Sequence, residues 1–157
     1  MAKFVEEVKA RAKEQLVLPE GKAPAGELAR YKRFLKHEAV RLKKLHRSSG
    51  LGREVCMARA VVIDVLLQHL LRTALDLAPL EKFKKVPELA IIALGGYGRG
   101  ELNPHSDIDI QFLCEDRLLK GAKPHEFLKS VTNTVLYTLW DVGLKIGHSV
   151  RRVRDCV

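Results

Sequence analysis

Asp107 and Asp109 lie two residues apart in Asp107-Ile108-Asp109-Ile110, where polar and apolar residues alternate as in a half-buried strand. Side chains alternate faces along a strand, so both carboxylates point the same way, roughly 6–7 Å apart along the chain. Two like charges on one face repel unless a cation sits between them. Hard divalent cations take oxygen ligands and commonly carry the phosphates of a nucleotide. Ten residues separate Asp107 from Gly95-Gly96, the first two of four glycines within six residues. Glycine lets a backbone approach a ligand closely, with bare N–H groups free for phosphate oxygens. The spacing is neither the dinucleotide fingerprint G-x-G-x-x-G nor a Walker loop, because no G-K-[ST] follows. A glycine turn alone would be only a tight turn. Coupled to the acidic pair, it predicts a nucleotide site.

Other residues of the stretch have two readings each. Arg99 fits a triphosphate contact, since a guanidinium fork matches phosphate oxygens; its alternative is a surface arginine in a turn. Ser106 either caps the turn before the acids or touches a phosphate. Glu101 is read as a plain acid rather than a partner of Arg99, and His105 as a turn residue.

The elements that must position these groups follow from periodicity. Leu89–Leu94 is an apolar run that reads as a first strand, and Asp107–Cys114 as a second, with Ile108, Ile110 and Phe112 facing the core. Glu115 to Ala122 reads as a loop. Pro124 suits the first turn of a helix striped by Leu128, Val131, Val135 and Leu139, and Gly143 can supply its left-handed cap. A third strand is expected over Leu144–Val150. Upstream, helical spacing predicts helices over residues 3–16, Gly26 to Arg47, ended by Ser48-Ser49-Gly50, and Arg53 to Leu77. The last is apolar enough to be mostly buried. Leu18–Pro24 reads as a loop, and Glu81-Lys82-Phe83-Lys84-Lys85 as a basic linker between Pro79 and Pro87. The fold class predicted is α+β: a helical N-terminal region, residues 1–87, then a small mixed sheet with flanking helices, residues 88–157.

Bulk properties narrow the setting. The 157 residues are 46% hydrophobic and 30% charged, the profile of a soluble globular domain. No apolar run approaches the ~20 residues of a membrane span. The first residues lack the apolar segment of a secretory signal, and three scattered cysteines (Cys56, Cys114, Cys156) show no metal-ligand spacing. A cytoplasmic protein with reduced thiols is expected, with Cys114 and Cys156 as small core residues. Net charge is +9, and nine Lys or Arg against two Glu lie between Gly21 and Gly50. That block is either a solvated helix face or a surface for nucleic acid, an acidic protein or a triphosphate.

The order Gly-Gly, ten residues, Asp-Ile-Asp-Ile resembles the signature of the nucleotidyltransferase superfamily to which DNA polymerase β belongs. The closer wording G-G-Y-G-R-G-E-L-N-P-H-S-D-I-D (Gly95 to Asp109) resembles the bacterial uridylyltransferases that modify the nitrogen-regulatory PII protein. The run L-Y-T-L-W-D-V-G-L-K-I-G-H-S-V-R (Leu136 to Arg151) is similar to the same family, so the resemblance spans about Leu89–Cys156. It implies a nucleotidyltransferase fold and transfer of UMP from UTP to a tyrosine hydroxyl of PII. It implies Gly95, Gly96, Arg99 and Ser106 as the nucleotide-binding residues, and Asp107 and Asp109 as the catalytic ligands of Mg²⁺.

Related nucleotidyltransferases carry a third metal carboxylate on the strand that corresponds to Leu144–Val150, which here holds no acid. Either His148 takes that place or the acid lies beyond Val157; the second is favoured, because Mg²⁺ prefers oxygen ligands. His148 shares a face with Ile146 and Val150, which suits a packed histidine. Two alternatives stay open: a nucleotidyltransferase acting on RNA ends or a small molecule, which the basic block would suit, and a non-catalytic nucleotide-binding module.

Overall fold

A computed structural model describes residues 1–49, 51–81, 83–121 and 124–156, the side chain of Ser49 excepted. Gly50, Lys82, Ala122 and Val157, named above, lie outside the described residues. Helix α1 (Ala2–Gln15), α2 (Leu28–Ser49) and α3 (Gly52–Asp76) precede strand β1 (Leu89–Ala93), a single-turn helix α4 (Gly95–Gly98), strand β2 (Ile108–Cys114), helix α5 (Glu126–Asp141) and strand β3 (Ile146–Arg152). The three strands form one sheet in the order β1-β2-β3. β1 runs antiparallel to β2 and β3 parallel to it, so the small mixed sheet expected of an α+β chain is present. No described helix is long and apolar enough to cross a membrane.

Helix α3 is the axis of packing. Its apolar residues leave few exposed positions: Val62, Ile63, Leu66, Leu67, Leu70 and Ala74 are all buried. They join Ile108, Ile110 and Phe112 of β2 and Phe127, Val131, Val135 and Leu139 of α5 in one core. Burying such side chains contributes about 1.5–3 kcal/mol each, so this shared core ties helices and sheet together. β2 follows the predicted alternation, with Ile108, Ile110, Phe112 and Cys114 buried and Asp109 exposed between them.

Several boundaries differ from expectation; α2, for one, runs on through Ser48 and Ser49. Pro124 is not in the first turn of α5; the helix starts at Glu126, and the imidazole Nδ1 of His125 caps it by accepting from the Phe127 N–H at 3.1 Å. Gly143 does carry a left-handed φ of 89°. There the Leu144 N–H bonds back to the Leu139 carbonyl at 3.0 Å, so Leu144 closes the helix instead of opening a strand. β3 therefore begins two residues later than predicted and runs through Arg151 and Arg152, which pair with Leu113 and Cys114. The three cysteines are free thiols; Cys114 is buried, but Cys156 is exposed and not a core residue.

Helix α2 buries Tyr31 and Phe34 more deeply than Leu28, Leu35, Leu42 and Leu45, and Glu38 beside them is fully buried. The carboxylate accepts from Arg11 Nε of α1 at 2.5 Å and from Arg41 Nη1 at 2.8 Å, and Arg41 also pairs with Glu7. Burial lifts the Glu38 carboxyl above its ordinary range against the opposing pull of Arg11. Removing one member of a buried pair leaves the other charge uncompensated. Glu38→Ala is expected to cost about 3 kcal/mol, read as a lower midpoint in urea denaturation. An unchanged midpoint would show that the α1–α2 ion pairs do not hold α1 in place.

Candidate active site

Strand β1 runs out at Ala93, but the ladder continues one step further: the Leu94 N–H donates to the Asp109 carbonyl at 2.9 Å. The backbone of Asp109 is thereby fixed directly beside the glycine turn. Gly95 then takes a left-handed φ of 56°, which a side chain would strain. The Gly98 N–H returns to the Leu94 carbonyl at 2.8 Å and closes α4. The turn is tight because the glycines are bare. A Cβ on Gly98 would lie 2.6 Å from the Ala93 carbonyl oxygen, and one on Gly96 would lie 3.2 Å from that of Glu101.

Glycine also surrounds the carboxylate. A Cβ on Gly95 would lie 3.6 Å from Asp109 Oδ2, and one on Gly147 would overlap Asp109 Oδ1. Gly147 is the β3 residue paired with Asp109, so the carboxylate leans across bare backbone on one side and faces the glycine turn on the other. Asp107 precedes β2 on the same face by strand alternation. Both acids are exposed, and neither carboxylate has a hydrogen-bond or ion-pair partner among the described residues.

Two unpartnered carboxylates beside a backbone cradle suit a Mg²⁺ that arrives with a nucleotide. This ion is characteristically held by one or two protein carboxylates plus substrate phosphates, not by a full protein cage. No group of three or more His, Cys, Asp or Glu among the described residues forms a closed metal site. The donor set therefore fits a cation shared with a ligand.

The remaining sequence candidates are placed as follows. Arg99 is exposed at the end of α4, with its Nε 3.7 Å from Glu101 Oε2, a loose pair well solvated on both sides. Such a pair contributes about 0–1 kcal/mol, so the guanidinium is available to an anion. Ser106 caps its turn: the hydroxyl donates to the Asn103 carbonyl at 2.9 Å, and the Ser106 N–H donates to the same oxygen at 3.1 Å. His105 belongs to that turn, its N–H donating to Asn103 Oδ1 at 3.0 Å. His148 pairs with Ile110, hence faces the opposite side of the sheet from Asp109, and its exposed ring meets Trp140 edge-on at 5.6 Å. It does not join the acidic pair. On the Asp109 face β3 offers Gly147 and Ser149, and Ser149 Oγ lies 3.4 Å from Gln111 Oε1.

Sequence reading overlooked Tyr97, Asp64 and Arg59. Tyr97 is buried in the middle of the glycine turn and donates its hydroxyl to Asp64 Oδ1 of α3 at 2.6 Å. Arg59, one turn and a half earlier on α3, donates to the Asn103 carbonyl. A bulky aromatic amid four glycines, and two opposite charges inside an apolar helix, were the available signals.

Residues 6–139 match the family described as glutamate-ammonia ligase adenylyltransferase. Among curated proteins, the chain is 40% identical over 107 residues to a bifunctional uridylyltransferase/uridylyl-removing enzyme of Cereibacter sphaeroides, covering 68% of this chain and 11% of that protein. It is 35% identical over 132 residues to the protein of that name from Pseudomonas putida strain GB-1, covering 84% and 13%. With that of Rhodospirillum rubrum it shares 44% over 70 residues, covering 45% and 7%. The chain thus spans about a tenth of the length of the curated relatives it matches. The family match takes in most of α1, all of α2 and α3, the glycine turn, the acidic strand and nearly all of α5, and by it the chain belongs to the glutamate-ammonia ligase adenylyltransferase family of nucleotidyltransferases.

Proposed function

We propose that this chain is the nucleotidyltransferase part of a cytoplasmic uridylyltransferase that moves UMP from UTP to a tyrosine hydroxyl of a PII-type signalling protein. The observation that carries this reading is the Asp109 carboxylate held between Gly95 and Gly147. The choice of uridylyl rests on the names of the curated relatives. In the reaction, the tyrosine oxygen forms a bond to the α-phosphorus, the bond from that phosphorus to the β-bridging oxygen breaks, and pyrophosphate leaves. The hydroxyl proton passes to solvent.

The residues divide the work. Backbone N–H groups at Gly95 and Gly96 face the phosphates, and Arg99 supplies a guanidinium fork for their oxygens. Ser106 holds the turn that delivers Asp107. Asp107 and Asp109 would hold Mg²⁺, which when bound neutralises phosphate charge and lowers the pKa of the attacking hydroxyl.

A second reading, adenylyl transfer, is favoured by the description of the matching family. The experiment that separates them is incubation of the protein with PII, Mg²⁺ and each of the four nucleoside triphosphates labelled at the α-phosphate. Label from UTP alone is expected on PII. Label from ATP instead would give the adenylyl reading, and label retained on added RNA would give an RNA-end transferase.

A further inference from the structure

The glycine turn and the turn before Asp107 are held by two contacts that come from one helix. Tyr97 lies between Gly96 and Gly98, so its phenol is the only side chain through which that turn reaches the body of the protein. Its hydroxyl donates to Asp64 Oδ1 of α3 at 2.6 Å, and the residue is 5% exposed. Five residues earlier on α3, Arg59 donates to the Asn103 carbonyl. That same oxygen accepts from both the N–H and the hydroxyl of Ser106, one residue before Asp107. Burial, with the adjacent Asp64, pushes the Tyr97 phenol far above its usual range, so it remains a donor throughout the physiological range. Arg59 is half-buried along its length and has a fixed fork to aim.

We infer that α3 is a positioning helix for phosphate and metal binding: Asp64 sets the glycine turn through Tyr97, and Arg59 sets the Asp107 turn through Asn103. Neither Asp64 nor Arg59 touches the nucleotide; each acts through the segment it grips. The glycine turn and the turn before Asp107 are separate, joined along the chain by Gly100 to Pro104. A common anchor keeps their spacing fixed before a ligand arrives, which cuts the ordering cost of binding. This inference rests on the nucleotidyltransferase reading for its consequence, but not for the clamp itself.

The test uses Tyr97→Phe, Asp64→Ala, Asp64→Asn and Arg59→Gln in the intact chain, with thermal unfolding as a check on the fold. Two readouts are taken. Amide hydrogen exchange at residues 95–106 reports the clamp without any nucleotide, and calorimetry reports MgUTP affinity. Tyr97→Phe and Asp64→Ala are expected to speed exchange in the glycine turn and to weaken MgUTP about tenfold, with the double variant no worse than either single one. Asp64→Asn, which keeps an acceptor for the phenol, is expected to stay within about twofold of wild type on both. Arg59→Gln is expected to speed exchange at residues 103–106 and also to weaken MgUTP. Faster exchange with no MgUTP binding even in the wild type would keep the clamp and remove the UTP reading. Wild-type exchange and affinity in Tyr97→Phe, Asp64→Ala and Arg59→Gln would overturn the inference. So would a loss in Asp64→Asn as large as in Asp64→Ala.

Discussion

Replacing Asp107 and Asp109 together by asparagine is expected to abolish transfer while leaving the fold as it is. Both side chains are exposed and unpartnered, so their loss removes no structural contact among the described residues. The buried face of β2 (Ile108, Ile110, Phe112) is untouched. Relief of their mutual repulsion should, if anything, raise thermal stability slightly. The effect on chemistry should be far larger. Removing one preorganised group that stabilises transition-state charge typically costs about 10²–10³ in rate, and here both anionic ligands go at once. A fall in labelled product of at least about a thousandfold is therefore expected, together with loss of Mg²⁺-dependent triphosphate binding. The measurement is single-turnover labelling of PII, paired with calorimetry of MgUTP. Unchanged affinity in the double variant would place the metal elsewhere. Lost affinity with a lowered unfolding temperature would instead mean that the acids support the fold.

Much of this site is legible in the sequence because it follows from local rules. The alternation Asp107-Ile108-Asp109-Ile110 fixes which side chains face the core, and the sheet obeys it. The glycine turn follows a strand, and the cap at Gly143 falls where a left-handed residue is needed. What escaped is non-local. Gly147 looks like an unremarkable strand residue until the parallel pairing of β2 with β3 sets it beside Asp109. Its lack of a side chain then becomes a reason for the carboxylate's position. Similarly, nothing among its neighbours in sequence gives Tyr97 a role. Its role appears only when α3, more than thirty residues away, brings Asp64 to its hydroxyl. The start of β3 was misplaced because Leu144 is apolar, while the helix-closing bond to Leu139 that occupies it is a property of Gly143's backbone. Its end was misplaced because Arg151 and Arg152 break the apolar pattern, although backbone pairing does not require apolar side chains.

The same non-local geometry makes Gly95, more than Gly96, the position where a side chain should intrude on the Asp109 side of the site. On Gly96 a Cβ would stand 3.2 Å from the Glu101 carbonyl oxygen. Yet Gly95 is the residue with the left-handed φ, and the site its Cβ would enter faces Asp109. Gly95→Val therefore combines two penalties. The left-handed backbone costs about 1–2 kcal/mol for a residue bearing a Cβ, and more for a β-branched one. The branch would also extend from a point 3.6 Å from Asp109 Oδ2 into the space between cradle and carboxylate. Gly100 provides the control, because it has a φ of 70° but no atom within 4 Å of where its Cβ would stand. Gly100→Val should share the backbone strain without the intrusion. Both variants are expected to lower the unfolding temperature by similar amounts, but only Gly95→Val should lose MgUTP binding by a hundredfold or more. Equal losses of affinity would mean that strain in the turn, and not occupation of the Asp109 side, governs binding. Retained affinity in Gly95→Val would remove the phosphate cradle from this end of the sheet.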